Sequence, residues 1–196
     1  RRESLAGEAA EFGRISELLA RYALARPDVR FSLTHNGNET FATSGSGLQD
    51  ALLGVYDAGT ASRSTVIHHE TTLDDGAFSV DGICCYPSVT RSTRDHVRIS
   101  VGGRPVTDTG LRRAVVTGYG SLVAGSKYPI AAIDIEPPAG TVDPNVHPAK
   151  EEVGLTTREA VEAAVEAAVS EALTAADARR TDTAATDLET ELAAVD

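Results

Sequence analysis

Helical and strand periodicities alternate along this chain, and two glycine-containing turns join neighbouring strand patterns into hairpins. Asn36-Gly37 and Asp74-Asp75-Gly76 each stand between two strand-like runs, which predicts antiparallel pairing at both places. Interleaved helices and hairpins favour an α+β sandwich over a doubly wound parallel sheet, with a mixed sheet of four or five strands and helices on one face. The predicted helices are 3–26, 48–56, 108–123 and a last helix from Thr156, and the predicted strands are 29–34, 39–43, 64–71, 77–86, 96–101 and 129–136.

Apolar stripes mark the expected buried faces of three of these helices. They consist of Phe12, Ile15, Leu19 and Tyr22 in the first helix, Leu111, Val115, Tyr119 and Leu122 in the third, and Val161, Val165 and Val169 in the last. Beyond Leu173 the chain turns to Ala, Thr, Asp and Glu with few large apolar residues. That composition is typical of an acidic disordered linker, which we predict at 174–196.

The chain contains no Met and starts at Arg1, so we expect it to be a piece of a longer protein. No apolar run reaches the roughly 18 residues of a membrane-spanning helix, and a signal-peptide pattern is missing at this N-terminus. Cys84 and Cys85 are adjacent and belong to no C-x-x-C pair, which argues against a zinc site. We expect both to be small core residues in a reducing cytosol, and we expect no metal site and no membrane contact.

The formal net charge is −11, which excludes a globally basic nucleic-acid-binding protein but leaves room for a local basic patch. Sixteen of the 18 basic residues are Arg, and Lys127 and Lys150 are the two Lys. An acidic, Lys-poor composition is typical of a salt-loving organism, because dense carboxylates keep a protein hydrated when salt screens their repulsion. Codon usage in a GC-rich genome is the alternative explanation.

A basic island interrupts the acidic chain at residues 91–113, where six Arg and two Asp give a formal charge of +4. Guanidinium groups bind phosphodiester oxygens in bidentate geometry, so the island indicates contact with a nucleic-acid backbone. Pairing of these Arg with nearby carboxylates is the alternative. No aromatic residues alternate with them in a way that would indicate base stacking on single strands. The candidate DNA-binding residues are Arg91, Arg94, Arg98, Arg104, Arg112 and Arg113.

Two prolines shape a second candidate site, the loop Asn145-Val146-His147-Pro148-Ala149-Lys150, which follows the strongly apolar strand 129–136. It offers an amide, an imidazole and an ammonium group. The compact charge of Lys150 suits a terminal phosphate, although it could also be an ordinary solvated loop residue.

This loop resembles the NVHPxK motif of the MutL mismatch-repair family. Further stretches resemble that family in the same order along residues 1–173. They are Arg1-Arg2, Ala23–Phe31 with Leu33–Gly37, Arg91–Asp95, and Val101–Val106. Gly102 stands where the family usually has Asn, and Pro144 stands where an aliphatic residue is usual.

The resemblance implies a ribosomal protein S5 domain 2-like fold, a two-layer α/β sandwich with a mixed sheet. In such proteins this transducer domain follows a nucleotide-binding domain related to those of gyrase B and Hsp90. The implied organisation is an N-terminal helix at 1–26, the transducer domain at 27–173 and the linker at 174–196.

The resemblance also implies the chemistry. Lys150 is expected to act on the γ-phosphate of ATP, with Asn145 and His147 beside the cofactor, while ATP and Mg²⁺ are held mainly by an upstream domain. The fragment alone is expected to be inactive. Arg104 and the rest of the basic island are expected to line a groove for DNA.

The implied parent is a cytoplasmic, nucleoid-associated homodimer that works with a MutS-type mismatch-recognition protein. Two other functions share the fold class. One is a non-catalytic RNA- or ribosome-binding S5-like module, and the other is the transducer domain of a type II topoisomerase.

Overall fold

The computed structural model describes residues 7–74, 76–138 and 158–193. Its helices are α1 (Glu8–Ala25), α2 (Leu48–Val55), α3 (Ala58–Ala61), α4 (Thr109–Gly118) and α5 (Arg158–Ala193). Its strands are β1 (Ser32–His35), β2 (Asn38–Ala42), β3 (Ser64–Leu73), β4 (Gly76–Cys85), β5 (Thr90–Arg91), β6 (Val97–Val101), β7 (Arg104–Val106), β8 (Tyr128–Pro129) and β9 (Ala131–Glu136). The helices, the two hairpins and the main strands predicted from the sequence therefore form close to their expected places.

Five strands form a mixed sheet in the order β3-β4-β9-β6-β7. β6 and β9 are parallel, and the other neighbours are antiparallel. A parallel pair needs a crossover connection, which α4 supplies between β6 and β9. β1 and β2 form a separate hairpin, whose turn residues Asn36 and Gly37 have φ angles of 50° and 79°. The predicted α+β class, its mixed sheet and both hairpins are confirmed.

The sheet is apolar on both faces. On β4 and β9, Cys84 and Ile133 belong to the core under α4 and α5, whereas Cys85 and Ala132 belong to a second core under α1 and α2. Helices therefore cover parts of both faces, and the prediction that they share one face was wrong. A strand that is apolar on both sides needs cover on both sides, and alternation alone does not say which helix provides it.

The predicted apolar stripe of α1 is not its buried face. Ala20, Ala23 and Leu24 are buried, whereas Ile15 and Tyr22 are 42% and 41% exposed. Alanines allow the helix backbone to lie close to the sheet, so the small residues face inward and the larger ones lie at the side. In α4 and α5 the predicted stripes are buried, apart from Leu122.

α5 continues well past the predicted domain boundary at residue 173, through Ala193. Leu173 and Ala176 are buried. Further along, Arg179 donates to the hydroxyl of Thr65 at 3.3 Å, and Arg180 lies 4.9 Å from the ring centre of Tyr86. Alanine favours helix strongly, and these contacts tie the helix to the domain. The segment predicted as a disordered linker thus begins as helix.

Cys84 and Cys85 are buried and unpaired, and burial raises the pKa of both thiols to about 12. They are therefore unreactive core residues at neutral pH. Among the described residues, no helix is long and apolar enough to cross a membrane, and no group of three or more His, Cys, Asp or Glu side chains is arranged to hold a metal ion.

Candidate nucleic-acid interface

The six arginines of the basic island fall into two groups. The charges of Arg91 and Arg98 act on His96, and those of Arg94, Arg98 and Arg21 of α1 act on Arg112, so these arginines lie near one another. We call these five residues the arginine cluster. Arg104 and Arg113 lie elsewhere.

Arg98 is the buried member of the cluster. It lies on β6, is 7% exposed, and its Nη2 donates to Glu17 Oε2 of α1 at 3.2 Å. The same carboxylate accepts from Arg21 Nε at 3.2 Å through its other oxygen. Glu17 therefore joins two guanidinium groups and ties α1 to the sheet.

Aromatic rings support the two cluster members that precede Arg98. Arg91 lies 5.7 Å from the ring centre of Tyr56, and Arg94 lies 5.2 Å from that of Tyr128. Tyr56 shares a 3.0 Å hydrogen bond with Nδ1 of His96. Burial lowers the pKa of His96, and the charges of Arg98 and Arg91 lower it further, which favours the neutral imidazole.

Arg112 is half-buried on α4. Burial lowers the pKa of its guanidinium, and the positive charges of Arg21, Arg98 and Arg94 add to that effect, while Asp95 opposes it. An arginine does not lose its proton at physiological pH, so Arg112 stays charged although its burial, and to a lesser extent the neighbouring guanidinium groups, disfavour that charge.

Sequence reasoning missed Arg21 and its partner Glu17. They are one helical turn apart and form an i,i+4 ion pair beside the buried residues Ala20 and Leu24. The four-residue spacing could have indicated this pair, because charged residues beside the buried stripe of a helix lie next to the element on which the helix packs.

Arg113 pairs with α5, and Arg104 lies on the edge strand β7. Arg113 follows Arg112 on α4, but its Nη2 donates to Glu162 of α5 at 3.2 Å, and its side chain is 70% exposed. Arg104 begins the edge strand β7 opposite Val101 and is exposed.

The turn before Arg104 is fixed despite the glycine at position 102. Gly102 and Gly103 have φ angles of 57° and 71°, a left-handed conformation that glycine adopts at little cost. The Gly103 amide donates to Asp134 Oδ1 at 3.0 Å, and the Gly102 amide donates to the Ile135 carbonyl at 3.0 Å. The backbone that presents Arg104 is therefore held by β9.

The candidate phosphate-binding residues Asn145, His147 and Lys150 lie outside the described residues. The structure does describe what flanks them. The strand that leads toward this loop, β9, lies at the centre of the sheet, and α5 begins after it at Arg158.

The start of α5 is anchored to the start of α4. Asp108 is fully buried, caps α4 by accepting from the Leu111 amide at 3.0 Å, and accepts from Nη1 and Nη2 of Arg158 at 3.1 Å each. A bidentate guanidinium–carboxylate pair fixes orientation as well as distance. The chain therefore has a defined position on both sides of the candidate lysine loop.

Comparison with known sequences supplies the family. Residues 54–174 match the family described as "DNA mismatch repair protein, C-terminal domain". The DNA mismatch repair protein MutL of Halobacterium salinarum is 45% identical over 174 residues, which cover 88% of this chain and 26% of that protein. MutL of Lacticaseibacillus casei is 40% identical over 147 residues, which cover 74% of this chain and 22% of that protein. The chain thus spans about a quarter of the length of these relatives.

Two solved structures share the fold. "Crystal Structure of N terminal domain of a DNA repair protein" superposes with a TM-score of 0.69 at 21% identity, over 87% of this chain and 56% of that one. "Aquifex aeolicus MutL ATPase domain complexed with ADP" gives a TM-score of 0.51 at 16% identity, over 84% of this chain and 51% of that one. At these identities the likeness shows the fold alone, whereas the sequence matches cover most of the chain. The chain belongs to the MutL family of DNA mismatch repair proteins, and it corresponds to the S5-like transducer domain of that family.

Proposed function

We propose that the chain is the transducer part of a MutL-type ATPase that acts in DNA mismatch repair. Family membership carries the proposal, together with a relative 45% identical over 88% of the chain. The Aquifex relative was solved with ADP, and we propose ATP as the nucleotide of the parent of this chain. The nucleotide and its Mg²⁺ are assigned mainly to a nucleotide-binding domain upstream of the transducer.

Lys150 is the residue that we assign to the γ-phosphate, with Asn145 and His147 beside it. A cation at that position stabilises negative charge in both the ground state and the transition state of phosphoryl transfer. The anchoring of α5 by Asp108 and Arg158 supports this role, because a lysine that reaches into another domain must start from a fixed base. ATP binding would then also fix the relative position of the two domains.

The basic island is assigned to the DNA backbone. Arg94 and Arg104 are exposed, and Arg91 and Arg112 are half-exposed, so each is available for a phosphate contact. Arg113 is available once it leaves Glu162. Arg98 is too buried for direct contact and is assigned to holding its neighbours in place. Contacts of this kind carry no sequence preference and weaken steeply with salt.

Duplex binding by the chain at several salt concentrations tests this assignment. Arg94→Ala and Arg104→Ala should each weaken binding to any DNA sequence and reduce the slope of log K against log[salt] by about 0.9 for each phosphate that is no longer neutralised. Arg30→Ala removes an exposed arginine outside the island and should leave the slope unchanged. The DNA assignment fails if all three variants bind DNA as tightly as the unsubstituted chain does. An RNA-binding function replaces it if the chain binds RNA duplexes more tightly than DNA duplexes.

The partners follow from the same proposal. A MutS-type mismatch-recognition protein is the proposed upstream partner, and a second copy of the parent is the proposed dimer partner. The proposed location is the cytoplasm, in association with the nucleoid.

A further inference from the structure

Tyr56 lies just past the end of α2, where it meets two members of the arginine cluster. Its ring centre lies 5.7 Å from the guanidinium carbon of Arg91 and 5.6 Å from the ring centre of His96, and the two rings are tilted by 49°. Its hydroxyl is hydrogen-bonded to His96 Nδ1 at 3.0 Å and also to the side chain of Arg98. One tyrosine outside the basic island thus contacts three residues within it.

The hydrogen bonds of this hydroxyl have defined directions. A guanidinium group only donates, so the Tyr56 oxygen accepts from Arg98 and keeps its own hydrogen for His96. Burial raises the pKa of Tyr56 and lowers that of His96, which favours a protonated hydroxyl and a neutral imidazole that can accept. If Nδ1 carried the hydrogen, the hydroxyl would accept twice, and its own hydrogen would lack an acceptor among the described residues. The hydrogen of the His96 ring is therefore assigned to Nε2.

These two hydrogen bonds fix the orientation of the tyrosine ring. Tyr56 has φ and ψ angles of −120° and −101°, so it lies outside the helix and is not held by the helical backbone. Arg98, which holds the hydroxyl, is itself anchored by Glu17 of α1 at 3.2 Å. A ring that is held at both its Cβ atom and its hydroxyl presents a fixed face to its neighbours.

Arg91 depends on that face because its other contacts are few. Among the described residues it forms no ion pair, and its one hydrogen bond runs from Nη1 to the Thr90 carbonyl at 3.1 Å. A guanidinium group over the face of a tyrosine is attracted by the electrons of the ring. A side chain that is already held loses less conformational freedom when it binds a ligand. The ring therefore arranges Arg91 before a phosphate arrives.

We propose that Tyr56 is a positioning residue of the DNA interface, which holds the guanidinium group of Arg91 in place for a phosphate of the DNA backbone. His96 and Arg98 support this role by fixing the Tyr56 hydroxyl. The role rests on the proposed DNA-binding function. It adds Tyr56 and His96, two residues that the charge pattern of the basic island does not identify.

Duplex binding by the chain at one fixed salt concentration tests this role. Tyr56→Leu removes the ring with its hydroxyl and should weaken binding about 2- to 10-fold, the range expected when one long side chain must be ordered on binding. Tyr56→Phe keeps the ring, so its affinity should lie between that of Tyr56→Leu and that of the unsubstituted chain. Tyr22→Phe removes the hydroxyl of an exposed tyrosine of α1 and is the matched control, which should bind as tightly as the unsubstituted chain.

A double-mutant cycle separates positioning from a general effect on the fold. In the Arg91→Ala background, Tyr56→Leu should have no further effect on DNA binding, whereas a disturbed fold would weaken binding equally with and without Arg91. Equal effects in both backgrounds, or no effect of Tyr56→Leu when Arg91 is present, would overturn the positioning role alone. If Arg91→Ala, Arg94→Ala and Arg104→Ala all bind DNA as tightly as the unsubstituted chain, the DNA-binding function itself fails, and the positioning role fails with it.

The tautomer of His96 tests the hydrogen bonds in the unsubstituted chain without DNA. In ¹⁵N NMR spectra at neutral pH, Nδ1 should have the chemical shift of an imidazole nitrogen without hydrogen, and Nε2 that of a nitrogen that carries one. Tyr56→Phe should lower the population of that tautomer. A hydrogen on Nδ1 in the unsubstituted chain would overturn the assigned hydrogen-bond directions and the support that they give to Arg91.

Discussion

The buried carboxylate of Asp108 joins the start of α4 to the start of α5, and its removal should destabilise the domain by a calculable amount. Asp108→Ala removes the N-cap of α4, which is worth about 1 kcal/mol. It also breaks the bidentate pair with Arg158. Breaking a fully buried pair costs about 3–5 kcal/mol, and because Arg158 is 30% exposed and can regain water, about 2 kcal/mol is expected here. The total is about 3 kcal/mol, or a fall in Tm of about 6–12 °C.

Urea denaturation of the chain measures this destabilisation and separates its two parts. Asp108→Asn keeps a good N-cap but loses the charge, so it should cost about 2 kcal/mol. Asp95→Ala removes an exposed aspartate of the basic island and should change the free energy of unfolding by less than about 0.5 kcal/mol. A decrease in the free energy of unfolding below about 1 kcal/mol for Asp108→Ala would refute the reasoning. Equal decreases for Asp108→Ala and Asp108→Asn would show that the N-cap contributes nothing to the total.

Three further predictions concern the sheet. Tyr119→Phe removes a buried hydroxyl that donates to a β4 carbonyl at 2.7 Å, and urea denaturation should show a decrease in stability of about 1–1.5 kcal/mol. Gly82→Ala places a methyl group against a carbonyl oxygen of β9 and should cost at least ~2 kcal/mol by the same assay, whereas Gly125→Ala, which meets open space, should not. The hydrogen bond with Asp81 raises the pKa of His68 above its value in the unfolded chain. Protonated His68 therefore stabilises the folded state fully below about pH 6.5, and this stabilisation is lost as pH rises through the folded-state pKa. His68→Gln should remove that decline from a plot of unfolding free energy against pH.

Local patterns predicted the elements well because each pattern reports a single strand or helix. The turn at Asn36-Gly37 requires two left-handed residues, and the observed φ angles provide them. The apolar strand predicted at 129–136 and the stripe of Leu111 and Val115 depend only on burial and period, and the apolar residues of both are buried as predicted.

The placement of the helices could not be predicted in the same way. Ile83, Cys84 and Cys85 form a continuous apolar run that fits burial on both faces, but nothing in that run specifies which helix covers which face. In α1 the larger residues gave a clear stripe, yet close approach to the sheet favoured Ala20 and Ala23 instead.

The basic island shows the same limit at the level of the site. Its arginines are close in sequence, but Arg112 and Arg113 are successive helix positions about 100° apart and face different partners. Arg21 joins the cluster from far along the chain through the packing of α1. The charge pattern of the sequence identified the basic island, but the tertiary packing determines which of its arginines lie close together.

The most direct test of the central claim is ATP hydrolysis by the longer parent protein, which joins the upstream nucleotide-binding domain to this chain. Lys150→Ala should lower the rate at least ~10-fold, equivalent to about 1.4 kcal/mol in the activation barrier, with the fold intact by circular dichroism. Lys127→Ala, which removes the only other lysine of the sequence, should leave the rate unchanged. Unchanged hydrolysis in Lys150→Ala would contradict the assignment of this lysine to the γ-phosphate and, with it, the proposed mechanism of the transducer.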